Sequence, residues 1–164
     1  MTDSTFSPGE IFAALHRNGV DYVAIGGIAA NAHGSRRLTL DVDIIPAPED
    51  SNFQRLADAL DELGAPPTAV DSSFRDLDPR DSFDLARARI LKLATTAGDL
   101  DVLNSALGAP PYADLRGRAV EVEVRGTPVR VASLDDVISM KRASGRPRDL
   151  RDIADLTESD TRSD

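Results

Sequence analysis

Gly26-Gly27-Ile28-Ala29-Ala30-Asn31-Ala32-His33-Gly34-Ser35-Arg36-Arg37-Leu38-Thr39-Leu40-Asp41-Val42-Asp43 is the most informative segment of this 164-residue chain. It follows Tyr22-Val23-Ala24-Ile25, an apolar run that reads as a buried strand closed by the two glycines. Residues 28–33 read as a short helix, with Gly34 suited to a left-handed stop. Residues 38–45 alternate apolar and polar side chains and read as a second strand, halted by Pro46 and Pro48. Glycine lets a backbone come close to phosphates, and a helix start offers unpaired N–H groups to them. Residues two apart on a strand point the same way, roughly 7 Å from each other, so Asp41 and Asp43 can lean onto one divalent metal ion or a pair of them. The interleaved Leu40, Val42 and Ile44 predict a buried opposite face. The combination suits a metal-bound nucleoside triphosphate and points to phosphoryl or nucleotidyl transfer.

Working outward, Ile11, Phe12 and Leu15 stand at helical spacing within residues 10–18, stopped by Gly19, after a polar and loose start over residues 1–8. Phe53, Leu56, Ala57, Leu60 and Leu63 make an amphipathic helix ending before Gly64. Residues 65–84 read as loop, with a short strand near Ala69-Val70. Residues 88–95 and 100–104 read as paired strands around an Ala97-Gly98-Asp99 turn, and residues 119–125 and 127–131 as a hairpin around Gly126. Ser133 caps a helix reaching Ala143, with Asp136 in a capping-box position. A last helix after Gly145-Arg146-Pro147 carries Leu150, Ile153, Ala154 and Leu156. The pattern predicts an α+β (mixed α/β) single domain over residues 1–157, a mixed twisted sheet flanked by helices, with a polar, disordered tail over residues 158–164.

The chain has no cysteine, which removes disulfides, thiolate metal sites and thiol nucleophiles. With only His16 and His33, no histidine-based zinc site can be assembled, and His33 at a helix end reads as structural. No apolar run approaches the roughly 20 residues of a membrane span, and the start lacks a signal pattern, so no membrane partner and a cytoplasmic location are expected. The formal net charge of −9 opposes generic nucleic-acid binding. Lys141, Arg142, Arg146, Arg148 and Arg151 nevertheless form a local basic cluster, and Arg36 with Arg37 a smaller one. Either arginine of the pair can grip phosphate oxygens in bidentate fashion, and on an extended segment only one of the two faces the site. Lys141 can act as a point charge on a triphosphate or complement a helix end. Asp149 and Asp152 fall near the start of the last helix, where acids are favoured, and Asp149 can cap it. Asp101, in Asp99-Leu100-Asp101-Val102-Leu103, is the candidate third carboxylate; Asp99 is expected in the turn.

These residues resemble the DNA polymerase β-like nucleotidyltransferase superfamily. Its hallmark of Gly-Gly or Gly-Ser at a helix start, an acid-x-acid strand and a later third acid is matched by Gly26-Gly27, Asp41/Asp43 and Asp101. The longer run Gly-Gly-x-Ala-x-x-x-His-Gly-x-x-Arg-x-Thr-x-Asp-x-Asp is similar to the AbiEii-type and MenT-type toxins of toxin–antitoxin systems. Their C-terminal Lys…Arg-x-Lys-Asp-x-x-Asp pattern is echoed by Lys141, Arg146, Arg148, Asp149 and Asp152, with Arg148 replacing a lysine. The resemblance implies transfer of an NMP group from an NTP to an acceptor hydroxyl, with pyrophosphate leaving. It implies Mg2+ (one or two ions, Mn2+ substituting) on Asp41, Asp43 and Asp101. It also implies a nucleotide site of Gly26, Gly27, Arg36, Arg37, Thr39, Lys141, Arg148, Asp149 and Asp152, with Lys141 also catalytic. In the toxin branch the acceptor is the tRNA 3′ end and the partner a cognate antitoxin. A protein or small-molecule acceptor, as for an adenylyltransferase antitoxin, and a non-catalytic nucleotide-binding module are the alternatives.

Overall fold

The computed structural model describes residues 6–66, 69–70 and 76–161. In chain order the elements are α1 (Pro8–Arg17), β1 (Tyr22–Ile25), α2 (Gly26–Ala32), β2 (Asp41–Pro46), α3 (Asp50–Glu62), β3 (Ala69–Val70), β4 (Asp76–Leu77), α4 (Ser82–Arg87), β5 (Ile90–Thr95), β6 (Gly98–Leu103), α5 (Tyr112–Arg118), β7 (Val120–Val124), β8 (Thr127–Val131), α6 (Leu134–Ser144) and α7 (Pro147–Thr161). Six strands form one mixed sheet in the order β5-β6-β2-β1-β8-β7, and β3 pairs with β4 apart from it. β2 runs antiparallel to β1 but parallel to β6, and β1 runs parallel to β8. The predicted mixed sheet flanked by helices is what the chain forms.

Register gives each face of the sheet a distinct chemistry, because neighbouring residues on a strand point to opposite sides. Leu91, Val102, Ile44, Ala24 and Val131 stand side by side across five strands, and all five are fully buried. One residue along, the opposite face carries Lys92, Asp101, Asp43 and Ile25 in a matching row. The apolar face is covered in part by α1, whose Phe12 ring stacks on Tyr22 with centroids 6.1 Å apart. Leu56 and Leu60 of α3 join the same core.

Several boundaries differ from the sequence expectation. β2 begins at Asp41, not at residue 38, and Leu38 and Leu40 are exposed. β1 ends opposite Asp43 and the ladder with β6 ends at the Asp41–Asp99 pair, so among the described residues no strand pairs with residues 38–40. The β5–β6 turn is Thr96-Ala97, which moves Asp99 out of the turn and into β6, opposite Asp41. Thr95 Oγ1 donates to Gly98 O at 2.6 Å and closes that turn. A helix at Ser82–Arg87 begins inside the stretch read as loop (65–84) and runs past its end, with Asp81 accepting from Phe83 N at 2.9 Å as its cap. The short strand near Ala69-Val70 is present as β3. Phe6 and Ser7 are not loose: Ser7 N donates to Ala97 O at 2.8 Å, and the Phe6 ring lies against Gly98. Residues 1–5 of that segment lie outside the described residues, as do 162–164 of the tail, while α7 continues through Thr161. Ser133 caps α6 by accepting from Asp136 N at 3.2 Å. Asp136 does not complete a capping box, because its carboxylate takes two hydrogen bonds from Arg118 instead. Among the described residues no helix is long and apolar enough to cross a membrane.

Candidate active site

Asp41 and Asp43 leave the same face of β2, and the parallel pairing of β2 with β6 sets Asp101 directly beside Asp43. Adjacent strands are about 4.8 Å apart, so this register alone brings the third acid to the pair. One carboxylate oxygen from each of Asp41, Asp43 and Asp101 lies within 4.8 Å of the others. Burial pushes the Asp43 carboxyl up to about 8, and the charges of Asp41 and Asp101 add to the rise. Burial also raises Asp101, opposed by the Lys92 ammonium; Asp43 and Asp101 share a hydrogen bond. Three half-buried carboxylates therefore meet without enough counter-charge. An all-oxygen donor set fits a hard divalent cation such as magnesium, and a cation there would relieve the repulsion.

The glycine pair is held against these acids by contact. Gly26 has φ of 65°, where side chains are strained, and a Cβ on it would run into the Asp43 carboxylate. A Cβ on Gly27 would lie 2.5 Å from Thr39 Oγ1. Thr39 in turn donates to Asp41 O at 3.2 Å. The helix starts at Gly26 itself, two residues earlier than expected, so the bare turn and the acids share one wall. His33 has the structural role expected of it: Nε2 bonds Ala132 O at 2.8 Å and ties the end of α2 to the end of β8.

The C-terminal residues meet each other first. Asp152 is buried and takes Arg37 through two hydrogen bonds, 2.8 and 3.1 Å, and Lys141 Nζ at 2.8 Å. Asp149, equally buried, takes Arg146 at 2.7 Å and stands 3.8 Å from Lys141 Nζ. Burial works to raise both carboxyls. Hydrogen bonds from Lys141 and Arg37 outweigh it at Asp152, and those from Arg146 and Ser144 at Asp149, so both stay below the usual range. Two of the five cations in the basic cluster, Lys141 and Arg146, are thus taken up by Asp152 and Asp149, while Arg142, Arg148 and Arg151 stay exposed. Nor does Asp149 cap α7; it sits in the first turn, held by Arg146. Of the arginine pair, Arg37 turns inward to Asp152, while Arg36 is exposed. Arg148 is exposed as well, with no hydrogen bond or ion pair among the described residues. Lys92 escaped the sequence reading. A Thr96-Ala97 turn pairs residue 95 with 98 and hence Lys92 with Asp101, so correct placement of that turn would have found it.

A family profile described as "Nucleotidyltransferase of unknown function (DUF6036)" matches residues 10–160. The chain belongs to this nucleotidyltransferase family. Solved structures share its fold. ANT(2″)-Ia in complex with adenylyl-2″-tobramycin is 19% identical, with 92% of this chain and 85% of that chain covered at a TM-score of 0.58. The solution structure of the antibiotic-resistance factor ANT(2″)-Ia is 17% identical, covering 92% and 80% at 0.59. An antigenic nucleotidyltransferase-like protein from Paracoccidioides brasiliensis is 18% identical, covering 93% and 77% at 0.56. No curated protein sequence matches the chain significantly. The family and the fold support a nucleotidyltransferase enzyme and the superfamily resemblance drawn from Gly26-Gly27 and the three acids.

Proposed function

We propose that this nucleotidyltransferase moves an NMP group from an NTP to the 3′-terminal hydroxyl of tRNA, in the manner of the AbiEii-type and MenT-type toxins. The observation that carries the chemistry is the convergence of Asp41, Asp43 and Asp101 beside the Gly26-Gly27 turn. Asp41 and Asp43 would hold magnesium, with Asp101 completing the set. Bound there, the metal supplies charge neutralisation for the triphosphate and acidifies the attacking hydroxyl. Asp101 orients the acceptor hydroxyl and takes its proton as the oxygen bonds to the α-phosphorus; the bond to pyrophosphate breaks and pyrophosphate leaves. The side-chain-free turn at Gly26 and Gly27 leaves room for phosphate oxygens against backbone N–H groups. Lys141 and Arg37 serve the donor nucleotide, with Arg36, Thr39 and Arg148 around them. Asp149 and Asp152 act by fixing those cations, since a carboxylate in contact with phosphate would be repelled. The catalytic gain comes from positioning and charge, without a covalent side-chain intermediate.

What supports the toxin-type reading is that its front and back motifs are one unit: Arg37 of the first and Lys141 of the second share Asp152. A second reading, transfer to a small molecule or a protein, is favoured by the net charge of −9, which resists a polyanionic acceptor. Incubation with each α-labelled NTP, magnesium and either total RNA or RNA-free lysate separates the two. We expect label on RNA, and loss of about 1,000-fold or more in rate for Asp41→Ala. Label on lysate protein or small molecules alone moves the assignment to the second reading, and full transfer by Asp41→Ala removes the mechanism.

A further inference from the structure

Three of the cations that the motifs nominate are committed to acids, whereas Lys92, in the same strand row as the acid trio, is not. Arg37 and Lys141 are bound to Asp152, and Arg146 to Asp149. Lys92 is exposed on β5, an outer strand of the sheet, and closes no ion pair among the described residues. Its antiparallel pairing with Asp101 puts both side chains on one face of the sheet. Across that face the order is the Gly26 turn, Asp43, Asp101, Lys92. The donor phosphates take the glycine end, where backbone is bare. The acceptor must therefore come from the other end, past Lys92, to reach Asp101.

We propose that Lys92 is an acceptor-binding residue whose ammonium holds a phosphodiester next to the hydroxyl that Asp101 orients, so that the site selects an RNA end over an uncharged or cationic acceptor. This rests on the reading of the acid trio as the transfer centre. The lysine lies within an acidic surround of Asp99, Asp101 and Asp41, which repels loosely bound polyanions. A single cation at the point of entry admits one phosphate in one place and leaves the rest of the acidic body to reject non-specific RNA. The acid net charge and an RNA acceptor are thereby compatible.

The test uses the full chain with Lys92→Ala, Lys92→Glu and Lys92→Arg. Affinity is measured separately for a magnesium–NTP complex and for a short single-stranded RNA with a free 3′ hydroxyl. Lys92→Ala should weaken RNA binding about tenfold and lower the salt dependence by about one phosphate contact. Lys92→Glu should weaken it further and Lys92→Arg should restore most of it. In the transfer reaction the loss should fall on KM for RNA, with KM for NTP changed no more than about twofold. RNA affinity that is absent in the natural protein, or unchanged in Lys92→Glu, overturns the inference; so does equal loss of NTP and RNA binding. Failure of the underlying reading looks different: Asp43→Asn would then keep magnesium–NTP binding whatever Lys92 does.

Discussion

Two groups of aspartates sit on this molecule in opposite electrostatic states. Asp41, Asp43 and Asp101 share a half-buried face with a single lysine nearby, and two of the three have raised proton affinity. Asp149 and Asp152 are more deeply buried, yet hold their protons less tightly than usual, because Lys141, Arg37 and Arg146 surround them. The difference shows that burial alone does not set the state of a carboxylate; the partner does. The paired acids are structure. The unpaired acids are a deficit of positive charge that a metal ion can fill, and that deficit is what marks the candidate site.

The largest effect expected from disturbing this contrast is at Asp152. Asp152→Asn leaves Lys141 buried with only Asp149 at 3.8 Å and releases Arg37. Removing one partner of a buried pair costs about 3–5 kcal/mol, so chemical denaturation should show a loss of that size. The unpaired group should respond to pH in the opposite sense. Asp43 has a folded-state value raised from 3.8 to about 8, so its contribution is full below pH 4 and is lost as pH rises through 8. The metal-free protein should lose on the order of 2 kcal/mol over that window once solvent screening is allowed for. Asp43→Asn should flatten the slope, and magnesium should restore stability at the alkaline end; melting curves across pH with and without metal read both. The lowered values at Asp149 and Asp152 act in reverse, removing stability only as pH falls below the ordinary carboxylate range. The smallest effect belongs to Arg146, whose side chain is 54% exposed over Asp149. Arg146→Ala should cost about 0.5–1 kcal/mol, fading in high salt.

Much of this was legible in the linear chain, and the failures have physical causes. β1, the glycine turn, α2 and the two-residue spacing of Asp41 and Asp43 follow from local preferences, which need no distant partner. Asp101 was nominated because it stands in an apolar–acid–apolar strand after a turn. The start of β2 was misplaced because Leu38 and Leu40 continue the alternation beyond the point where a neighbouring strand exists. Asp99 was assigned to a turn because Ala97-Gly98-Asp99 has the right composition, while the hydroxyl of Thr95 closes the turn one residue earlier. The basic cluster is legible as a run of cations, but only packing shows that Asp152 and Asp149 take up Lys141 and Arg146. Lys92 is missed for the same reason as Asp99, because its pairing with Asp101 follows only once the turn is set at Thr96-Ala97.

Residue order along the chain was enough to specify most of the elements, the acid pair and the glycine turn, since each depends on periodicity and backbone freedom within a few residues. Three-dimensional packing was needed to seat Asp101 and Lys92 in one row with Asp43, and to join Arg37 to Asp152 across 115 residues. Strand register and ion pairing between distant segments are long-range quantities. They emerge when the sheet forms, and so does the charge imbalance that gives the pocket its chemistry.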